Sequence, residues 1–108
     1  MSRKHIIEGT MKCLKNMQLS YCDLVFAHRP SYNIELKETC KAFGWLIKKG
    51  YATYWCTSTW DNEMITEAIK ICESLNIPPP IADQCEYSAL QREHVEKGYR
   101  RLFEKFGY

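Results

Sequence analysis

The chain has 108 residues, a length that predicts a single domain. Hydrophobic residues make up 45% of the chain, which is enough for a packed core and too much for a disordered segment. The 15 basic and 13 acidic residues give a net charge of +2, which offers no electrostatic case for a nucleic-acid partner, and no apolar run is long enough for membrane insertion.

The spacing of apolar residues predicts seven elements in the order α-β-α-β-α-β-α. The helices are predicted at 2–18, 35–49, 61–75 and 91–106, and the strands at 24–27, 52–56 and 81–83. Four consecutive apolar residues at 24–27 indicate a parallel strand that is covered on both faces. Successive strands are separated by roughly 30 residues, so they should be parallel neighbours joined by right-handed crossovers. A doubly wound open sheet and a segment of a (β/α)₈ barrel both fit this order.

Polar side chains follow each predicted strand. Pro30 ends the first strand because it has no N–H to donate, which leaves His28 just beyond the carboxyl end, where parallel α/β folds place functional residues. By itself His28 could also be a structural histidine of the loop. Ser58 and Thr59 precede a helix, and N-capping explains them without any ligand. Gln84 follows the third strand and could simply satisfy a loop carbonyl.

Six cysteines raise the question of a disulfide scaffold. Cys13, Cys40 and Cys72 lie on the apolar faces of predicted helices, and Cys56 lies in a predicted strand. No Cys-x-x-Cys pair occurs, so neither a metal site nor a redox motif is indicated. We therefore expect reduced thiols in a cytoplasmic protein, and we find no signal-peptide pattern at the amino terminus.

Three segments, taken in order, resemble the aldo-keto reductase family. Residues 19–30 (LSYCDLVFAHRP) are similar to the family segment that ends in His-x-Pro, residues 50–60 (GYATYWCTSTW) to its Gly-x-Ser-Asn-Phe stretch, and residues 80–84 (PIADQ) to its Pro-x-x-x-Gln strand. Residues 2–9 and 81–87 are most similar to the cytoplasmic beta subunits of voltage-gated potassium channels, which are aldo-keto reductases too. The resemblance implies one partial NADP-dependent oxidoreductase domain over residues 1–108. Its fold would be part of a (β/α)₈ TIM barrel, with about three parallel strands and four helices.

The resemblance also implies roles for the residues at the strand ends. His28 would match the active-site histidine that hydrogen-bonds the substrate carbonyl beside a tyrosine acid. Ser58, Thr59 and Gln84 would match residues that hold the nicotinamide carboxamide of NADP(H), a group whose acceptor and donors suit hydroxyl and amide side chains. Two positions depart from the family: Thr59 replaces an asparagine, or an arginine in channel subunits, and Cys56 replaces a glycine. Channel subunits usually carry asparagine at His28, so this position is nearer the ordinary reductases.

A complete barrel takes about 250 residues, so the resemblance implies a fragment that covers the middle third. The Asp, Tyr and Lys of the catalytic tetrad have no counterpart here, and the NADP(H) site would be incomplete. The implied function is reduction of aldehyde or ketone carbonyls by the complete protein, with this chain inactive alone. One alternative is a non-enzymatic regulatory subunit bound to the cytoplasmic domain of a voltage-gated potassium channel, and another is a truncated product without activity. An open sheet face and unpaired edges would also favour a homo-oligomer.

Overall fold

A computed structural model of the chain describes residues 2–30 and 33–108. The elements follow the predicted order, with shifted ends: α1 (Arg3–Asn16), β1 (Cys22–Ala27), α2 (Leu36–Lys48), β2 (Ala52–Ser58), α3 (Asn62–Leu75), β3 (Asp83–Gln84), a π-helical turn (His94–Gly98) and α4 (Arg100–Phe106). Within this part of the chain, no helix combines the length and apolar character that a membrane crossing requires.

The three strands form one parallel sheet in the order β1-β2-β3, which confirms the prediction of parallel neighbours. In the register, Val25 lies beside Trp55 and Ala27 beside Thr57. Thr57 in turn lies beside Asp83. Each strand therefore pairs with the next one in the chain, and the carboxyl ends of all three meet at one edge of the sheet.

The core lies between the sheet and the helices α2 and α3. Trp55 is fully buried and stacks on Phe43 of α2, with ring centroids 4.8 Å apart and planes at 5°. Its indole N–H donates to the carbonyl oxygen of Pro78 at 2.8 Å, so the ring buries no unpaired donor. Other fully buried side chains complete this layer: Cys40, Leu46, Ile65, Cys72 and Leu102.

The opposite face of the sheet exposes its large side chains, although the smaller Cys56 and Ser58 of β2 on that face are buried. Successive residues of a strand point to opposite faces, and on the side away from Val25 and Trp55 the exposed fractions are 44% for Leu24, 41% for Phe26 and 49% for Tyr54. The prediction that β1 is covered on both faces is therefore wrong. The apolar run at 24–27 is that of a strand buried on two sides, but the helices α2 and α3 cover only one of them.

The last predicted helix is not a single regular one. It contains a π-helical turn, in which the Tyr99 N–H donates to the carbonyl of His94, five residues earlier, at 3.0 Å. The regular helix α4 resumes at Arg100. Tyr99, at the junction, is only 3% exposed, and its hydroxyl is hydrogen-bonded in the interior. The spacing that predicted a helix at 91–106 gave no sign of the wider turn.

The six cysteines are all free thiols. Cys40, Cys56 and Cys72 are buried, as their positions in the pattern predicted. Cys13 is exposed, so its assignment to the apolar face of the first helix is wrong. That face is formed instead by Ile6 and Leu14, the buried residues of α1.

Candidate functional site

The parallel register brings the ends of the strands together at one edge of the sheet. Ala27 lies beside Thr57, and Ser58 lies beside Gln84. His28 therefore leaves β1 at the level where Ser58 and Gln84 end β2 and β3. Four residues that are far apart in the sequence, His28, Ser58, Thr59 and Gln84, all follow or end neighbouring strands, as the sequence predicted for the strand ends.

Ser58 and Thr59 bind the backbone of β3. The Ser58 hydroxyl donates to the carbonyl oxygen of Gln84 at 3.1 Å, and the Thr59 N–H donates to the same oxygen at 3.2 Å. Ser58 is 6% exposed. Because its proton is used within the sheet, Ser58 can offer a ligand only its oxygen lone pairs.

N-capping does not explain Ser58 or Thr59. The residue that caps α3 is Asp61, whose side-chain oxygen accepts from the Met64 N–H at 2.7 Å. The capping interpretation of the two hydroxyl residues is therefore wrong. The helix α3 begins at Asn62, one residue after the predicted start, and Thr59 lies before it with an exposed side chain.

Thr59 has an unusual backbone conformation, with φ at +58°. This left-handed region is unfavourable for a β-branched residue and costs about 1–2 kcal/mol relative to ordinary backbone. Such strain in a native protein tends to occur at functional sites, where the surrounding structure holds the residue in place. The conformation directs attention to Thr59 independently of any sequence motif.

The side chains of His28 and Gln84 are exposed. In the ranges 2–30 and 33–108, neither side chain makes a hydrogen bond. The interpretation that the Gln84 side chain binds a loop carbonyl is therefore not supported in these ranges. The backbone carbonyl of Gln84 instead accepts a hydrogen bond from the Ser58 hydroxyl. The imidazole and the carboxamide are therefore free to bind a ligand at this edge.

A polar network lies directly beneath the strand ends, and sequence reasoning missed it. The indole N–H of Trp60 donates to the carbonyl oxygen of His28 at 2.7 Å. The Trp60 backbone N–H donates to the Asp83 carboxylate at 3.4 Å, and the Tyr99 hydroxyl donates to that carboxylate at 2.9 Å. Tyr99 also contacts the Trp60 carbonyl oxygen. The sequence offered one signal for this network: Trp60 directly follows Thr59, and Asp83 directly precedes Gln84, so both lie next to predicted site residues.

The network shapes the ionisation of its tyrosine. Burial raises the pKa of Tyr99 well above its ordinary value, and the hydrogen bond to Asp83 raises it further. Tyr99 therefore stays protonated at neutral pH and acts as a hydrogen-bond donor. It is not poised to give up a proton to a substrate, so its role here is structural.

A polar cavity of about 190 Å³ adjoins the strand ends, lined by Thr59, Glu86, Gln91 and His94. An apolar groove of about 310 Å³ lies elsewhere, between α1 and β1. Of the four predicted site residues, Thr59 lines the polar cavity, whereas His28, Ser58 and Gln84 are not among its lining residues. The hydroxyl and amide groups at this edge are of the types that a carboxamide requires, since together they provide acceptors and donors.

Comparisons with known proteins place this geometry in context. The model of the aldo/keto reductase family matches residues 1–108. A protein of Oryza sativa subsp. japonica described as a probable voltage-gated potassium channel subunit beta is 39% identical over 107 residues, which are 99% of this chain and 33% of that protein.

Solved structures show the same likeness. A thermostable aldo-keto reductase, Tm1743, in complex with the inhibitor epalrestat superimposes with a TM-score of 0.85 at 26% identity, over 96% of this chain and 36% of that one. Aldo-keto reductase AKR11C1 from Bacillus halodurans, in its holo form, has a TM-score of 0.80 at 25% identity, over 98% of this chain and 34% of that one. The chain thus spans about a third of the length of these relatives.

Proposed function

The chain belongs to the aldo/keto reductase family, and from that premise we propose that it forms the middle strands of an NADP(H)-dependent oxidoreductase that reduces aldehyde or ketone carbonyls. The observation that carries the proposal is the register, which aligns the ends of β1, β2 and β3. His28, Ser58, Thr59 and Gln84 are thereby gathered at the edge where such barrels hold their ligands.

The side chains present fit the nicotinamide carboxamide. Ser58 offers an acceptor, because its proton is already donated to the Gln84 carbonyl. The Gln84 carboxamide and the Thr59 hydroxyl are exposed, and each offers both a donor and an acceptor. Bound dihydronicotinamide would supply the hydride. The protein's part is to fix the orientation of the ring through these contacts.

His28 would bind the oxygen of the substrate carbonyl. Its imidazole follows β1 and is exposed at the same edge as the three carboxamide-binding residues. A hydrogen bond from the imidazole would polarise the carbonyl as the hydride arrives. A proton donor would have to come from another part of the barrel, since the chain spans about a third of its relatives. We therefore propose that these 108 residues are inactive alone.

Titration with NADPH tests the cofactor site directly. We expect NADPH to shift the amide signals of Ser58, Thr59 and Gln84 in ¹⁵N NMR spectra of the isotopically labelled chain. Gln84→Ala should weaken binding about tenfold, because it removes about 1.4 kcal/mol of hydrogen bonding to the carboxamide. Asn16→Ala, at the far end of α1, is the control and should leave the affinity unchanged. Shifts scattered over the surface, or equal effects of the two variants, would contradict the proposed site.

A second candidate function follows from the rice relative, which is described as a channel subunit. We propose as the alternative that the chain is part of a regulatory subunit that binds the cytoplasmic domain of a voltage-gated potassium channel. The open sheet face around Leu24, Phe26 and Tyr54 supports association with a second copy of the chain or with the other strands of such a barrel. Both candidate functions imply a cytoplasmic protein.

Co-purification distinguishes the alternative from the first proposal. If the chain is a channel subunit, it should co-purify with the tetramerisation domain of a potassium channel at micromolar concentration. Gln84→Ala should not affect this association, since Gln84 belongs to the proposed cofactor site. No association at that concentration would count against the channel function while leaving the NADPH titration as a separate test.

A further inference from the structure

One tryptophan joins the ends of all three strands. The indole N–H of Trp60 donates to the His28 carbonyl oxygen at 2.7 Å and so reaches the loop after β1. The backbone N–H of Trp60 donates to the Asp83 carboxylate at 3.4 Å and so reaches β3. Trp60 itself follows the end of β2. Its side chain is 1% exposed, so these hydrogen bonds form where water competes little for them.

The orientation of Trp60 is fixed from the helix side as well. The Tyr99 hydroxyl contacts the Trp60 carbonyl oxygen and lies 2.9 Å from Oδ2 of Asp83. Asp83 thus accepts from both residues through its two oxygens. Trp60 is held at its backbone N–H, its carbonyl and its indole nitrogen, and it cannot rotate without breaking at least one of these bonds.

His28, by contrast, lies directly after β1, which is an edge strand of the described sheet. In the described part of the chain, β1 pairs only with β2. Pro30, two residues after His28, has no N–H with which to continue the ladder. Strand ends with few hydrogen bonds open readily. The bond from the Trp60 indole therefore determines where the peptide after His28 lies.

We infer that Trp60 is a positioning residue of the proposed carbonyl-reducing site. Its indole N–H fixes the backbone of His28 at the carboxyl end of β1, beside the end of β2, so that the imidazole faces the substrate carbonyl beside the nicotinamide. Trp60 contacts neither substrate nor cofactor and acts through His28 alone. The role of Trp60 in carbonyl reduction rests on the proposed function, whereas the hydrogen bond between its indole and His28 is a feature of the structure.

The chain supplies a matched control in Trp55. Trp55 lies within β2 and, like Trp60, is almost completely buried. Its indole N–H also donates to a backbone carbonyl, that of Pro78, at 2.8 Å. Phenylalanine at either position keeps an aromatic ring and removes one indole N–H. A purely structural role predicts the same consequences for both variants, whereas a positioning role predicts a difference at His28.

The test compares Trp60→Phe with Trp55→Phe by NMR in the full 108-residue chain. Both variants should lower the urea midpoint to a similar extent. In Trp60→Phe alone, the His28 and Arg29 amide signals should shift and their transverse relaxation rates should change roughly twofold, because the strand end gains slow motion. In the wild type, NADPH should shift the His28 imidazole signals, and this shift should be lost in Trp60→Phe and kept in Trp55→Phe.

The outcomes separate the two proposals. If NADPH shifts no signal in the wild type but Trp60→Phe still frees His28, the proposed function fails and the indole link stands. If His28 behaves alike in both variants, the positioning role is wrong. Should Trp60→Phe fail to fold, a scalar coupling across the hydrogen bond from Trp60 Nε1 to the His28 carbonyl carbon in the wild type decides: its presence supports the inference, and its absence overturns it.

Discussion

Replacing Trp55 by alanine is expected to lower the free energy of unfolding by about 3–5 kcal/mol. The residue is fully buried, stacks on Phe43 at 4.8 Å and is hydrogen-bonded to Pro78 through its indole nitrogen. Truncation removes these contacts and leaves a cavity in the layer between the sheet and the helices α2 and α3. Typical domains have about 5–15 kcal/mol in total, so this loss is a large part of the stability, and Trp55→Ala should unfold at a much lower urea concentration than the wild type. Urea titration followed by circular dichroism measures the loss.

The adjacent residue provides the control. Tyr54 has a side chain of similar size on the opposite face, where it is 49% exposed. Tyr54→Ala should change the free energy of unfolding by no more than about 0.5 kcal/mol, as expected for a surface substitution. A loss as large as that of Trp55→Ala would show that the open face is covered in solution, and the description of a one-sided core would then be wrong.

Stability is expected to fall in alkali, and most steeply above about pH 10. Burial raises the pKa of Tyr99 above its ordinary value, with a further increase from the hydrogen bond to Asp83, and burial also raises the pKa of Tyr108. Burial raises the pKa of the Cys56 thiol in the same way. In each case the folded state holds its proton more tightly than the unfolded state does, so the stabilisation is complete at low pH and is lost as the pH rises.

The pH window follows from the ordinary values of these groups. The free energy of unfolding should begin to fall above about pH 8.5, where unfolded cysteines ionise, and fall faster above about pH 10, where unfolded tyrosines ionise. Each tyrosine contributes about 1.4 kcal/mol per pH unit. Urea titrations at a series of pH values measure this slope.

A variant that lacks one hydroxyl isolates the contribution of Tyr99. Tyr99→Phe should be less stable at neutral pH, because the Asp83 carboxylate loses its hydroxyl donor, and should show a shallower slope above about pH 10. Leu102→Ala removes a fully buried, non-ionising side chain of the same helix. It should lower stability equally at every pH. If Tyr99→Phe retains the full slope, the assignment of the alkaline transition to Tyr99 is wrong.

The order and direction of the strands could be predicted from sequence because they depend on local signals. Apolar runs, the helix stripes and the proline breaks all act over a few residues, and the spacing between strands dictates parallel crossovers. The positions of His28, Ser58 and Gln84 at one edge followed from the same reasoning and agree with the register.

The network at the strand ends could not be predicted, because it depends on long-range geometry. Trp60, Asp83 and Tyr99 lie far apart in the sequence, and each has an ordinary local explanation as packing, turn or helix stripe. The Tyr99 hydroxyl bonds to Asp83 from the residue that directly follows the π-helical turn, and the sequence carries no recognisable signal for that turn. The apolar run alone wrongly predicted that β1 is covered on both faces, since such a run shows that a strand is suited to burial but not what covers it. The family resemblance had implied an open sheet face.

The pairing of each strand with its immediate successor affects how the chain can assemble during synthesis. Cys22 of β1 meets Ala52 of β2, about 30 positions later, and Thr57 of β2 meets Asp83 of β3 after a similar interval. A ribosome adds about 5–20 residues per second, so each strand waits only about 2–6 s for its partner to emerge. The sheet can therefore grow in the order in which the residues are translated, without holding any strand apart for one made much later.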